Sequence, residues 1–167
     1  INIVTRVQEC EAGLRTTTWA GSLESRKGFL ALHSDLGGPV HVTLSGSSYR
    51  SAGQRRLYFE EFDSRETNSG IARNVDAERA TRWAGNAFWR GFRLQGVFGT
   101  KEKTVPTAAW GTVFNDPRFA TSMKRGFLDL TRLWGAPAGF GVTTRLAYDF
   151  GEVKGSFPID YGTKDDP

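Results

Sequence analysis

The sequence predicts an all-β chain, an antiparallel up-and-down meander of about seven strands, and three observations carry that expectation. Apolar and polar residues alternate at period two from Gly13 onward, glycine-marked turns separate several of the runs, and no segment offers a helical stripe. The composition agrees, because aromatics at 13% and 20 glycines suit strands, turns and half-exposed rings better than a Leu-rich helical core. Repeats of fixed period, low-complexity stretches and linkers are absent, so one domain is expected.

Taken in order, strands are expected at Gly13–Leu23, Gly28–Leu36, Val40–Tyr49, Thr81–Trp89, Phe92–Gly99, Lys124–Trp134 and Gly141–Phe150. Asp35-Leu36-Gly37-Gly38, Arg90-Gly91 and Gly135-Ala136-Pro137-Ala138-Gly139 read as tight turns, where glycine supplies the positive φ that other residues resist. Two long connections, 50–80 and 100–123, fall between them, and Glu24–Lys27 is a short link where a long one is due. Short turns therefore gather at one end of the sheet and long loops at the other. Loops of that length are uncommon in compact soluble domains unless they are functional.

The alternation sorts side chains into two faces. One carries Leu14, Thr16, Thr18 and Ala20; Leu30, Leu32 and Ser34; Val40, Val42, Leu44 and Gly46; and Trp83, Gly85, Ala87 and Trp89. It continues with Phe92, Leu94, Gly96 and Phe98; Leu128 and Leu130; and Val142, Thr144, Leu146, Tyr148 and Phe150, with Arg132 its one charge near the short-turn end. The other holds Arg15, His33, His41, Arg82, Asn86, Arg93, Gln95, Asp129, Arg145 and Asp149. A charge costs roughly 2–4 kcal/mol at a lipid midplane and little near the interface, and this partition obeys that rule. Trp89, Phe92, Trp134 and Phe140 flank the short turns as an interfacial girdle would, with Trp19, Tyr49, Phe98 and Tyr148 as candidates for the other interface. The pattern thus fits part of a larger transmembrane β-barrel. A soluble sheet with one face on a core accounts for the alternation equally well, and for the loop asymmetry and aromatic ends less well.

The net charge of +4 is spread without a basic patch or stripe, which argues against a nucleic-acid partner. Cys10 is alone and forms no internal disulfide. No run of about 18 apolar residues offers a transmembrane helix, which leaves barrel strands untouched. The chain opens at Ile1 without a signal peptide, and an exported protein needs one upstream, so the opening reads as a cut.

Ile1-Asn2-Ile3-Val4-Thr5-Arg6 resembles the segment that ends the plug and leads into the barrel of TonB-dependent outer-membrane receptors. Two stretches resemble loops of that family: Leu57-Tyr58-Phe59-Glu60-Glu61-Phe62-Asp63 with Asn68-Ser69-Gly70-Ile71-Ala72, and the run from Val105 to Arg118. The resemblance implies that 1–12 close a plug and lead into the barrel, and that 13–167 form a partial barrel. It further implies a fragment in the bacterial outer membrane, taking part in active uptake of a scarce nutrient such as a ferric siderophore. The implied partners are outer-membrane lipid, the TonB complex through a plug that is mostly missing, and a small nutrient ligand, with no nucleic acid. The chain departs from the family in lacking most of the plug and in having too few strands to close a barrel of 22. A soluble all-β carbohydrate- or lipid-binding module is the alternative.

Candidate sites are few. Tyr58, Phe59, Phe62, Trp110 and Phe114 place rings in the two long loops, and Arg73 and Arg118 add cations suited to an anionic ligand. Packing of loop on loop is the ordinary fate of such rings and the competing account. His33 and His41 lack the further ligands that a metal site requires. The loop acids Glu60, Glu61, Asp63, Asp76 and Asp116 lack the spacing for calcium or for glycoside hydrolysis. No Gly-x-Ser-x-Gly elbow or phosphate-binding loop is present. The expectation is therefore no enzyme, no catalytic residue, no metal and no cofactor.

Overall fold

The computed structural model describes residues 12–35, 37, 39–135 and 139–160. Its strands are β1 (Gly13–Ala20), β2 (Arg26–Asp35), β3 (Val40–Ser51), β4 (Arg56–Tyr58), β5 (Ile71–Arg73), β6 (Glu78–Trp89), β7 (Phe92–Thr104), β8 (Ala120–Trp134) and β9 (Val142–Ser156). Seven of them form one antiparallel sheet in the order β1-β2-β3-β6-β7-β8-β9, while β4 and β5 pair as a separate hairpin. The meander is thus all-β and up-and-down as its alternation predicts, and β1 and β9 are its edges. Ile1–Arg6, Cys10 and most of the lead-in at 1–12 lie outside the described residues, as do parts of the expected turns at 35–38 and 135–139.

Register turns the expected faces into continuous rows. Leu14, Leu32, Leu44, Gly85, Gly96, Leu128 and Tyr148 are successive cross-strand partners, and Thr16, Leu30, Gly46, Trp83, Phe98, Gly126 and Phe150 form the next row. Glycines sit beside large residues in both rows. A Cβ on Gly46 would collide with the Trp83 ring, and one on Gly126 would stand 2.5 Å from Phe150 and 2.7 Å from the Val97 carbonyl. Each ring therefore lies over a neighbouring strand that has no side chain to obstruct it, which is a cross-strand pairing fixed by shape.

Several strands outrun their expected limits. β6 starts at Glu78, β7 reaches Thr104, β8 starts at Ala120 and β9 reaches Ser156. Apolar alternation stops earlier because those ends are polar, yet the ladder continues through pairs such as Glu78 with Lys103 and Arg79 with Glu102. A side-chain bond of 2.7 Å between Thr81 and Thr100 lies at the border. The long connections shrink accordingly, to 52–77 and 105–119. The first of these is not irregular: β4 and β5 flank short 3-10 turns at Glu60–Phe62 and Asn68–Gly70. β1 ends sooner than expected, and the link is a turn over Gly21–Ser25 in which Leu23 and Glu24 both take positive φ. Arg90 and Gly91, also both at positive φ, make the expected two-residue turn whose twist matches its strands.

The sheet does not contain the core. Among the described residues, the buried hydrophobic side chains are Ala72, Val75 and Phe119, all in the long loops. Among the described residues both faces of the sheet are largely open, and no second layer covers the Leu/Val/Phe face. A soluble module built on that face would require such a layer.

Candidate functional site: an apolar band, a basic face and a loop cap

The first surface follows directly from the register. Leu14, Leu30, Leu32, Leu44, Trp83, Leu94, Phe98, Leu128, Leu130, Leu146, Tyr148 and Phe150 are all exposed on one face, Leu146 at 72%. Beyond the Phe150 row come Thr18, Gly28, Ser48, Thr81, Thr100, Lys124 and Glu152, and then Arg26, Arg50, Arg79, Glu102 and Lys154. The apolar band therefore ends in a charged row on the loop side. A patch this continuous exceeds what water-exposed monomers ordinarily carry and marks an interaction surface.

Aromatic residues close the band on the short-turn side. Trp89 and Phe92 stack with centroids 5.8 Å apart. The Arg132 guanidinium lies 4.1 Å from the Phe92 ring centre and 3.7 Å from that of Trp134. The Trp134 indole N–H donates to the Thr144 hydroxyl at 2.9 Å, and Phe140 is wholly exposed.

The opposite face is polar and more basic than the sequence alone conveys. Arg15, Lys27, Arg82, Arg93, Lys101, Lys103, Arg125 and Arg145 share its parity, against Glu78, Asp129 and Asp149 among residues whose side chains are described. Sequence reading found the cations scattered. Parity was the signal that gathers them, since strands far apart in sequence place these residues on one side. Asp129 is buried and ion-paired with Arg145, and accepts a hydrogen bond from the Thr131 hydroxyl at 3.0 Å. His33 shares a 2.8 Å hydrogen bond with Thr43. Among the described residues no cluster of His, Cys, Asp and Glu could hold a metal ion.

The third surface is the cap formed by the long loops. Phe62 stacks on Phe114 at 4.5 Å and Phe59 meets the same ring edge-on at 6.0 Å, which joins the two loops. The Arg73 backbone N–H donates to the Asn115 side chain at 2.7 Å and fastens the same seam. Phe119 is fully buried and packs against Trp110 and Phe157. The Lys103 ammonium bonds the Asp76 carboxylate and its carbonyl oxygen, and the Gln54 amide donates to that carboxylate at 2.9 Å. Burial opposes ionisation of Asp76, but these donors outweigh it and hold the carboxyl below its ordinary range. A hollow of about 480 Å³ lies beside the cap, lined by residues including Leu23, Glu24, Gly53 and Arg55, with Glu24 and Arg55 ion-paired.

The expected ligand residues do not converge on one pocket. Phe59, Phe62 and Phe114 are brought together, against one another. Tyr58 is exposed and donates its hydroxyl proton to Asp63 at 2.9 Å, which raises the phenol above its usual range. Arg118 pairs with Asp116 in its own loop, lowering that carboxyl. Trp110 stays 75% exposed and takes positive φ, which bulky residues rarely adopt. Arg73 contributes its backbone to the seam while the residue stays exposed.

No family model matches the chain, and no solved structure matches it. A CRISPR-associated protein Cas7/Cst2/DevR of Myxococcus xanthus (strain DK1622) is 28% identical over 134 residues, covering 76% of this chain. The chain spans 42% of the length of that curated relative. This similarity overturns the expected role in nutrient or siderophore uptake. It equally corrects the expected TonB and small-nutrient partners and the exclusion of nucleic acid. That exclusion rested on scattered cations; the register sets eight of the strand cations on the polar face and six on the other, where Arg26, Arg50, Arg79 and Lys154 lie in the charged row. The soluble carbohydrate- or lipid-binding module gains support from neither the relative's name nor the uncovered apolar face.

Proposed function

We propose that the chain is part of the wall of a larger transmembrane β-barrel in a bacterial outer membrane, its apolar face against lipid and its polar face inward. The observation that carries this reading is the exposed apolar band, continuous across the strands and bounded by an aromatic rim on one side and a charged row on the other. From Val142 to Phe150 the band spans nine residues of β9, about 26 Å along the strand, within the roughly 9–11 residues with which a tilted barrel strand crosses a bilayer. Open edges do not persist in lipid, so this reading requires further strands beyond β1 and β9. The test is fractionation of cell envelopes bearing the full polypeptide. Retention in the membrane through alkaline carbonate, with release by detergent, is the expected result; a carbonate-soluble protein contradicts it.

The similarity to a CRISPR-associated protein favours a second reading, in which the chain belongs to a CRISPR-associated assembly. The apolar face would then be covered by other protein, and the basic face would attract nucleic-acid phosphates. Purification without detergent, with a bound nucleic acid whose retention falls steeply with salt, is what this reading expects.

A further inference from the structure

The short-turn rim holds an arginine that the fold does not use. Arg132 is the one charge among the apolar rows there, next to Phe92 and Thr144 in register. Its guanidinium is clamped between the Phe92 and Trp134 rings, and its Nε is buried without a hydrogen-bond partner. Among the described residues no ion pair involves it. A buried, unpaired guanidinium donor is costly, and two rings supply attraction without satisfying its N–H groups. The pattern repeats beside it. Arg90 occupies the two-residue turn at positive φ, with its guanidinium 5.9 Å from the Trp89 ring, and Trp89 stacks on Phe92. Two arginines thus stand among three aromatic rings along one edge of the apolar band.

We propose that this rim binds the phosphate of an anionic phospholipid headgroup, with Arg132 as the main donor and Arg90 as the second. The inference rests on the membrane reading above. Guanidinium is the side chain whose planar fork matches phosphate oxygens, and the flanking indole and phenyl rings suit the depth at which headgroups meet acyl chains. A lipid phosphate would bond the terminal N–H groups of the guanidinium, beyond the buried Nε, while its acyl chains lie along the band.

The test is association of the full polypeptide with phosphatidylcholine vesicles, with and without phosphatidylglycerol. Wild type should insert into both and prefer the anionic vesicles by roughly fivefold per arginine. Arg132→Gln should insert equally well and lose most of that preference, Arg90→Gln with Arg132→Gln should lose all of it, and Arg132→Lys should keep part. Variants that insert and retain the full preference overturn the lipid site and leave the barrel reading standing. A preference abolished by inorganic phosphate at matched concentration shows a free-anion site and overturns the lipid assignment. Failure of wild type to insert into either vesicle overturns the membrane reading and this proposal together.

Discussion

The sheet and the loop cap are built from the same chain for different surroundings. The cap buries Phe119 completely and half-buries Phe59, Phe62 and Phe114, and it ties its loops together with a ring stack and side-chain-to-backbone bonds. The sheet does the reverse. Its leucines and aromatic rings stand open, and backbone ladders, rings laid over glycines and a few cross-strand side-chain bonds hold neighbouring strands together. A cap of this kind is made for water, where apolar burial drives packing. A face of the other kind is stable only where its neighbours are apolar too. The difference separates the part of the molecule that carries its own core from the part that must borrow one.

Phe119→Ala should have the largest effect, about 3–5 kcal/mol, because it empties the centre of the cap. Hydrogen exchange should show the loss confined to 52–77 and 105–119, with the band rows unchanged. Leu44→Arg should come next, costing about 2–4 kcal/mol in a bilayer through charge on the apolar face, whereas Thr17→Arg on the other face should cost little. Unfolding titrations of both variants in lipid check the contrast.

Gly126→Ala tests the fit of rings over glycines in the sheet. The added methyl meets Phe150 and the Val97 carbonyl, so a loss of about 1–3 kcal/mol by overpacking is expected. The smallest effect concerns pH. Asp76 has its folded pKa lowered, so its contribution to cap stability is complete above the unfolded carboxylate value of about 3.9 and is lost as pH falls through the folded value. Proteolysis of the loops should therefore quicken below about pH 4, and Asp76→Asn should flatten that dependence.

Much of the sheet was legible in the sequence because period two is a strong signal wherever one face is uniformly apolar. The residues assigned to that face, from Leu14 to Phe150, are the ones that register aligns. Strand ends were illegible for the opposite reason. Glu78, Lys101 and Lys103 continue the ladder by cross-strand charge pairing, which leaves no hydrophobic trace. The β4–β5 hairpin was hidden because three-residue strands are too short to show alternation. The loop rings were recognised as unusual, but their partners were not. That Phe59 and Phe62 meet Phe114 depends on how two loops far apart in sequence fold over the sheet. Alternation alone placed Arg15, Arg82, Arg93 and Arg145 on one face and Arg132 on the other, but Lys101, Lys103 and the ring clamp around Arg132 needed the register before they could be seen.

The central claim is that the apolar face meets lipid, and spin-label accessibility tests it most directly. With Cys10→Ser as background, single cysteines would be placed at Leu32, Leu44 and Leu128 on one face and at Ala31, Ser45 and Phe127 on the other. Nitroxides on these sites, in the full polypeptide reconstituted into bilayers, would be probed with oxygen and with a water-soluble nickel chelate. Oxygen should reach the first set and nickel the second, alternating residue by residue. Protection of the first set from both reagents would contradict that claim, and would mean that another protein surface covers the band.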